Sequence, residues 1–307
     1  ILRSILNESI FPEQEVAIFA QNQKQSLQVN LQKNDYLARR AFANALFGNT
    51  TYGSHIEAED YDRLESEYLR SYFKSAYKPE NCTIIVAGKF DEKDFSLLNS
   101  IVGADWDNDG KSTVNKFDIA EVRGAELLID KPEALQSAIR MGTLGITRNH
   151  NDFSGFQVLN CLLGGYFGSR LMANIREDKG YTYGIGSAVV SLKDAGYFFI
   201  ATEVGADVCG SALQEIEKEI NILRSEAVPE SELDLVRNYM LGSMLGSLEN
   251  AFSHADKFKN IYFSGLDYSY YTHYIDTVKN ISPAEIQRLA SSYLDTSNFV
   301  KVVVGKK

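Results

Sequence analysis

Hydrophobic positions recur at helical spacing along much of the chain and give way to strand-like runs at only a few places. Residues 12–46 follow a helical pattern that ends at Leu46-Phe47-Gly48-Asn49, where Gly48 suits a helix C-terminus. Further helices are predicted over 61–76 and 91–101, with a β-branched strand at 82–87 between them. The first third of the chain is therefore predicted to be mostly helical.

Strands become more frequent in the rest of the chain, where a hairpin is predicted around Lys193-Asp194-Ala195-Gly196. The predicted elements are, in chain order, strands near 125–130 and 136–144, helices near 152–164 and 168–178, the hairpin strands 184–192 and 197–204, helices over 208–223 and from Pro229 onward, helices near 268–278 and 283–293, and a strand at 299–304. This order predicts an α+β fold, in which an antiparallel-rich sheet carries helices on one side.

A short internal repeat relates the end of the first part to the end of the chain. A tyrosine, a polar turn, an asparagine, a β-branched run and Gly-Lys follow one another both from Tyr77 and from Tyr293. If the match is a true repeat rather than a coincidence, each copy spans about 215 residues, and the first half of the first copy precedes Ile1. We therefore expect residues 1–103 to be the C-terminal half of a first domain, 104–124 a linker, and 125–307 a complete second domain.

Composition and charge exclude several classes of function. The chain has 307 residues and a net charge of -10, without the basic stripe that phosphate binding needs, so we expect no nucleic-acid partner. No apolar run approaches the roughly 18 residues of a membrane span. The three cysteines lie far apart and form no CxxC pair, which indicates buried apolar side chains rather than a disulfide framework. Cysteine usage alone does not fix the compartment.

The most informative stretch is residues 163–187, which read LGGYFGSRLMANIREDKGYTYGIGS. Arg176 is predicted near the end of a short helix, Gly180 in a left-handed cap, and Tyr181 and Tyr183 at the start of a strand, where alternation places both on one face. Arg176 and Tyr183 can converge as a guanidinium and a phenol on one acceptor. The alternative is that Arg176 pairs with Glu177 or Asp178 at the surface and that Tyr183 packs in the sheet.

This stretch is similar to the C-terminal signature of the M16 (pitrilysin/insulinase-like, inverzincin) metallopeptidases, Gly-Gly-x-Phe-x-Ser-Arg-Leu followed by Arg-Glu-x-x-Gly-Tyr-x-Tyr. Two further segments, 73–88 and Leu46 to Gly53, resemble other parts of the family pattern, so that the likeness spans nearly the whole chain. It implies M16-type (LuxS/MPP-like) domains of a bacterial-type subunit. The compartment stays open, with the bacterial periplasm favoured over the cytoplasm.

The resemblance also implies roles for individual residues. Arg176 and Tyr183 match an Arg/Tyr pair that binds a backbone carbonyl of the substrate peptide and stabilises the oxyanion formed at a zinc ion across the cleft. Donors of that kind contribute about 3 kcal/mol. Ser169, Arg170, Gly180 and Tyr181 match neighbouring signature positions and are expected to support the pair.

The residues that would bind zinc are not found in this sequence. Active members carry an inverted His-x-x-Glu-His motif, and His55, His150, His254 and His273 form no such pattern. Asn22 and Val29 stand where two acids are expected, and no Asp or Glu occurs between Glu15 and Asp35. We expect no metal in this chain, and zinc only in a partner or before Ile1. The Asp105-x-Asp107-x-Asp109-Gly110 run resembles a calcium loop but has Lys116 at the twelfth position, so a solvated linker is the better interpretation.

Three functions remain possible. The favoured hypothesis is a non-catalytic M16 subunit or region that binds a peptide through Arg176 and Tyr183 and completes the chamber of a zinc peptidase partner. That partner is expected to be another M16 chain or domain, in a homodimer or a heterodimer. The first alternative is a fragment of an active zinc metalloendopeptidase whose His-x-x-Glu-His half is missing. The second is a structural scaffold of the kind found in respiratory complexes. In all three cases the chain alone is expected to be inactive.

Overall fold

The computed structural model describes residues 1–103, 106, 119 and 124–306, and it divides them into two compact units. Unit 1 comprises residues 1–31, 56–103 and 250–257, and unit 2 comprises 32–55, 124–249 and 258–306. The predicted linker 104–124 lies mostly outside the described residues, as does the calcium-like run beginning at Asp105. The predicted domain boundaries therefore stay a prediction.

Unit 1 is helical. Its helices are α1 (Leu2–Asn7), α2 (Glu13–Asn30), α4 (Ala58–Asp62), α5 (Ser66–Ala76) and α6 (Glu92–Leu98), together with the first turns of α10 (Ala251–Tyr262). Pro12 leads into α2, and Glu13 and Glu15 occupy its first turn, where the helix dipole favours carboxylates. Lys24 on α2 pairs with Asp62 on α4 at 2.6 Å. The strand predicted at 82–87 is wrong, because this run pairs with no strand in the described part of the chain.

Unit 2 is built on a five-stranded sheet in the order β1-β5-β2-β4-β3. Its strands are β1 (Ala125–Asp130), β2 (Gln136–Gly145), β3 (Thr182–Ser191), β4 (Gly196–Gly205) and β5 (Val300–Gly305). Only β1 and β5 run parallel, and the other neighbours are antiparallel. This sheet and its helices confirm the predicted α+β class and the hairpin of β3 and β4.

Helices cover one face of the sheet and enclose the main core. They are α7 (Phe153–Asn160), α8 (Cys209–Ser225), α9 (Glu230–Gly246), α11 (Ser269–Asn280) and α12 (Pro283–Tyr293). Alternate residues of the strands point into this core, including Ile139, Met141, Phe198 and Ile200. The helices supply apolar side chains at helical spacing, such as Ile216 and Ile220 of α8.

One helix departs from the predicted one-sided arrangement. Helix α3 (Asn34–Phe47) packs on the opposite face of β2 and β5, where Phe42 and Leu46 meet Val300 and Val302 in a second core. Gly48 ends α3 with φ +55, as the sequence predicted. The sheet of unit 2 is therefore covered in part on both faces, because the odd and even positions of its strands are both apolar.

Candidate functional site around Arg176

Arg176 lies on a π-helix, Met172–Asp178, which continues a short helical segment that begins at Arg170 after the turn at Phe167 and Gly168. Met172 and Ile175 are buried and fix the helix to the main core. The N–H of Lys179 bonds to the carbonyl of Asn174 at 3.0 Å, which is the wider π spacing. Gly180 then takes φ +65 and ends the helix, as predicted from its sequence position.

The guanidinium of Arg176 is held from two sides and remains accessible. It forms an ion pair with the neighbouring Glu177, and it stacks 4.7 Å from the centre of the Phe167 ring. Its side chain keeps 33% of its surface exposed. This ion pair agrees with the alternative interpretation of the sequence, in which Arg176 pairs with Glu177 or Asp178 at the surface. A bound acceptor would reach the guanidinium from its open side or replace Glu177.

Tyr183 projects from β3 into solvent with 92% of its surface exposed, so the predicted packing in the sheet is wrong. A bulge between Thr182 and Ile185 interrupts the pairing of β3 with β4. Thr182 occupies the irregularity, since its Oγ1 lies 2.7 Å from the carbonyl of Glu203 and accepts the N–H of Gly184 at 3.0 Å. The bulge directs the phenol of Tyr183 outward and leaves its hydroxyl available.

Tyr181 and Tyr183 do not share a face, contrary to the prediction from alternation. The N–H of Tyr181 bonds to the carbonyl of Ile175 at 3.0 Å, and its half-buried ring packs against the main core. It therefore belongs to the cap of the π-helix rather than to β3. Its contacts fix where the chain leaves Gly180, which makes it a support for Arg176 and Tyr183.

Ser169 and Arg170 lie just before the π-helix in the chain. Arg170 donates two hydrogen bonds of 2.8 Å to the two carboxylate oxygens of Glu232 on α9. Burial alone would lower the pKa of Arg170, but this bidentate pair outweighs it and raises the pKa. Ser169 is buried, and its Oγ makes no hydrogen bond within the described part of the chain. Arg170 is held by its partner on α9, and Ser169 is packed inside the protein.

The two predicted donors thus lie on consecutive elements, joined by four ordered residues from Glu177 to Gly180 and by Tyr181 and Thr182. The described residues show no hydrogen bond between Arg176 and Tyr183. The phenol of Tyr183 is exposed, and the guanidinium of Arg176 is paired with Glu177 but keeps a third of its side-chain surface accessible. Two contacting residues were missed by the sequence interpretation: Phe167, under the Arg176 guanidinium, and Glu232, which pairs with Arg170. Glu232 lies 62 positions from Arg170, and no local pattern marks it. Phe167 could have been found, because it is a large apolar residue inside a glycine-rich turn.

The residues available for a metal do not fit a zinc site. Among residues 1–103 and 124–306, no group of three or more His, Cys, Asp or Glu side chains could hold a metal ion. His150 accepts the N–H of Asp152 and packs near Tyr293, and His273 contacts Thr277. Asn22 and Val29 are exposed on α2, and neither side chain carries a carboxylate that could bind a metal. None of the helices in this same part of the chain has the length and hydropathy of a bilayer span.

Known proteins with this fold and signature define the class. The family model described as "Peptidase M16 inactive domain" matches residues 63–240, which are 178 of the 307 residues. The chain belongs to the M16 peptidase family and is a peptidase-like domain of the inactive type.

Particular relatives agree with this assignment. The chain is 28% identical over 217 residues to the "Uncharacterized zinc protease YmxG" of Bacillus subtilis, covering 71% of the chain and 51% of the relative. It is 23% identical to the "Non-peptidase homolog YmxG" of Helicobacter pylori, covering 92% and 66%. It is 22% identical to the "Probable inactive metalloprotease YmfF" of Bacillus subtilis, covering 80% and 58%. The chain thus spans about half to two thirds of these relatives.

Solved structures show the same fold. The M16 inactive domain from Pseudomonas fluorescens superposes with a TM-score of 0.89 at 21% identity, over 99% of this chain and 73% of that one. A protease from Helicobacter pylori gives 0.88 at 17% identity, over 99% and 76%. The complex III dimer of Candida albicans contains a chain that gives 0.76 at 13% identity, over 93% and 70%. At these identities the likeness establishes the fold alone.

Proposed function

We propose that this chain is the peptide-binding, non-catalytic part of an M16 assembly. In this proposal Arg176 and Tyr183 hold a backbone carbonyl of a peptide, and a zinc-bearing M16 partner supplies the hydrolytic chemistry. The observation that carries the proposal is the exposure of the Tyr183 phenol on the strand that follows the π-helix of Arg176. A phenol with 92% of its surface in water contributes little to the fold, and its hydroxyl is accessible to an outside acceptor.

The chemistry of the pair suits a carbonyl acceptor. A guanidinium and a phenol are both donors, and a carbonyl oxygen has two lone pairs to receive them. If that oxygen becomes an oxyanion during hydrolysis, both hydrogen bonds strengthen as negative charge develops. The π-helix, the Gly180 cap and the bulge in β3 define the backbone from which both donors project, so less backbone entropy is lost on binding.

The scaffold function is the competing proposal, and the Candida albicans complex is the reason to keep it. A scaffold would bury the surface of Tyr183 against a permanent subunit and would not need a hydroxyl there. The substitution Tyr183→Phe separates the two proposals, because it removes the donor and keeps the ring.

The deciding experiment measures metal content and peptide cleavage for the protein that contains this chain, alone and mixed with a zinc-bearing M16 subunit. We expect no stoichiometric zinc and no cleavage alone, and cleavage in the mixture. Arg176→Ala should lower kcat/KM of the mixture at least 100-fold and Tyr183→Phe about tenfold. Tyr68→Phe, at another exposed tyrosine, is the matched control and should change nothing. Zinc binding and cleavage by the protein alone would show instead that it is an active peptidase.

A further inference from the structure

Asn174 lies two residues before Arg176 on the π-helix and joins that helix to α8. Its Nδ2 donates to Oε2 of Glu215 at 3.0 Å and to Oε1 of Glu219 at 2.7 Å. We infer that Asn174 is a positioning residue, which sets the rotation of the π-helix and thereby the direction in which Arg176 points. This inference rests on the proposed peptide-binding role of Arg176 and adds the contact that orients it.

Helix α8 gives Asn174 a fixed frame, because the apolar face of α8 is buried in the main core. Glu215 and Glu219 stand one turn apart on α8, and two carboxylates at this spacing repel each other. The amide of Asn174 donates to both, and Lys218 pairs with Glu215 at 3.2 Å. The hydrogen bond from Asn174 is the largest cause, ahead of Lys218, that holds the pKa of Glu215 below its ordinary value. The bridge therefore stabilises the ionised carboxylates.

Asn174 also takes part in the wide turn of the π-helix. Its carbonyl accepts the N–H of Lys179, five residues further on, at 3.0 Å. Only the nitrogen of the amide can donate to carboxylates, so Oδ1 is left buried and without a hydrogen bond within the described part of the chain. An unpaired buried acceptor costs stability. The orientation of the amide is therefore set by Glu215 and Glu219 rather than by the surroundings of Oδ1.

Arg176 lies on a different side of the π-helix from Asn174, because side chains two residues apart on a helix do not face each other. Asn174 meets α8, whereas Arg176 lies against Phe167 and solvent. A rotation of the π-helix that released Asn174 from α8 would therefore move the guanidinium away from the Phe167 ring. A displacement of about 1 Å can remove much of the contribution of a donor to a rate.

The test measures kcat/KM for a quenched fluorogenic peptide of mixed composition, cleaved by the protein that contains this chain together with a zinc-bearing M16 subunit. Asn174→Asp keeps the size of the side chain but sets a third carboxylate against Glu215 and Glu219, and it should lower kcat/KM about tenfold. Adding Glu219→Gln should restore most of this loss, since the new amide can donate to the new carboxylate. Asn174→Ala, which removes the bridge without adding charge, should also lower kcat/KM. Asn221→Asp, at an exposed position of α8, is the control and should change nothing.

The Arg176→Ala background separates positioning from a general loss of structure. There Asn174→Asp should lower kcat/KM less than about twofold, because an effect exerted through Arg176 is already lost. An equal tenfold loss in that background, no loss in either Asn174 variant, or no recovery with Glu219→Gln overturns the role of Asn174 and leaves the proposed function standing. No cleavage by the mixture, or an unchanged kcat/KM in Arg176→Ala itself, overturns the proposed function and this inference with it.

Discussion

At the scale of single residues, polar side chains of unit 2 are tied to partners far away in sequence. Arg170 and Glu232 come from the segment before the π-helix and from α9, and they meet in a bidentate pair with 15% and 30% of their side chains exposed. Asp152, Arg288 and Tyr293 form a second group between α7 and α12. Sequence spacing cannot reveal such pairs, because they depend on how the helices pack.

Removal of Arg170 should destabilise unit 2 because it leaves the carboxylate of Glu232 without its partner in a partly desolvated position. We expect Arg170→Ala to cost about 2–4 kcal/mol in the free energy of unfolding, measured by urea denaturation. Arg63→Ala removes an exposed pair with Asp60 and should cause no measurable change. Equal effects of the two substitutions would mean that the Arg170 pair is as solvated as a surface pair.

Asp152 should contribute stability that is lost in acid. Burial alone would raise the pKa of Asp152, but hydrogen bonds from Arg288 and Tyr293 outweigh it and lower the pKa. A carboxylate with a lowered folded pKa stabilises the protein above its unfolded value of about 4, and this contribution disappears as the pH falls through the folded pKa. Asp152→Asn should therefore lower stability at pH 7 by about 1–2 kcal/mol and flatten the stability curve below about pH 4. The melting temperatures of both proteins are measured from pH 2 to 7. The same fall in melting temperature below pH 4 in Asp152→Asn and in the native chain would contradict this prediction.

At the scale of elements, the sequence predicted those helices and strands whose pattern is long and closed by a clear turn. Helices α2, α8 and α12 and the hairpin of β3 and β4 formed as expected. The π-helix at Arg176 could not be predicted, because the burial of Met172 and Ile175 decides whether the turn widens. The bulge in β3 was missed for a similar reason, since it depends on the contacts of Thr182 with β4.

Gly180 should be needed for its backbone conformation alone. Its φ is +65, and a Cβ added there would meet no atom within 4 Å, so the cost of Gly180→Ala is backbone strain without a clash. We expect a loss of about 1–2 kcal/mol in unfolding free energy. Gly184→Ala is the matched control, because Gly184 also has open space around it but no positive φ. Similar losses at both positions would show that the positive φ of Gly180 does not determine the cost.

At the scale of the whole molecule, the two similar segments that begin at Tyr77 and Tyr293 share local geometry but differ in sheet formation. A 3-10 turn precedes the apolar run in both segments, at Pro79–Asn81 and at Thr296–Asn298. The terminal glycines have similar backbone angles, φ +128 at Gly88 and φ +133 at Gly305. Only the second segment forms a strand, β5, because β1 and β2 flank it. A β-branched run becomes a strand only where neighbouring strands provide hydrogen bonds, which a local pattern does not reveal.

Helix α3 bears on the predicted division of the chain, since the sequence placed residues 34–47 in the first half-domain. Its Phe42 is 2% exposed and packs in the second core against β2 and β5. If α3 is energetically part of that sheet, Phe42→Ala should cost about 3–5 kcal/mol and should speed amide hydrogen exchange in β2 and β5. Phe19→Ala on α2, where the ring is exposed, should leave exchange in both strands unchanged. Fast exchange confined to α3 itself would mean that the helix opens independently and that the boundary predicted from sequence describes the folding units better.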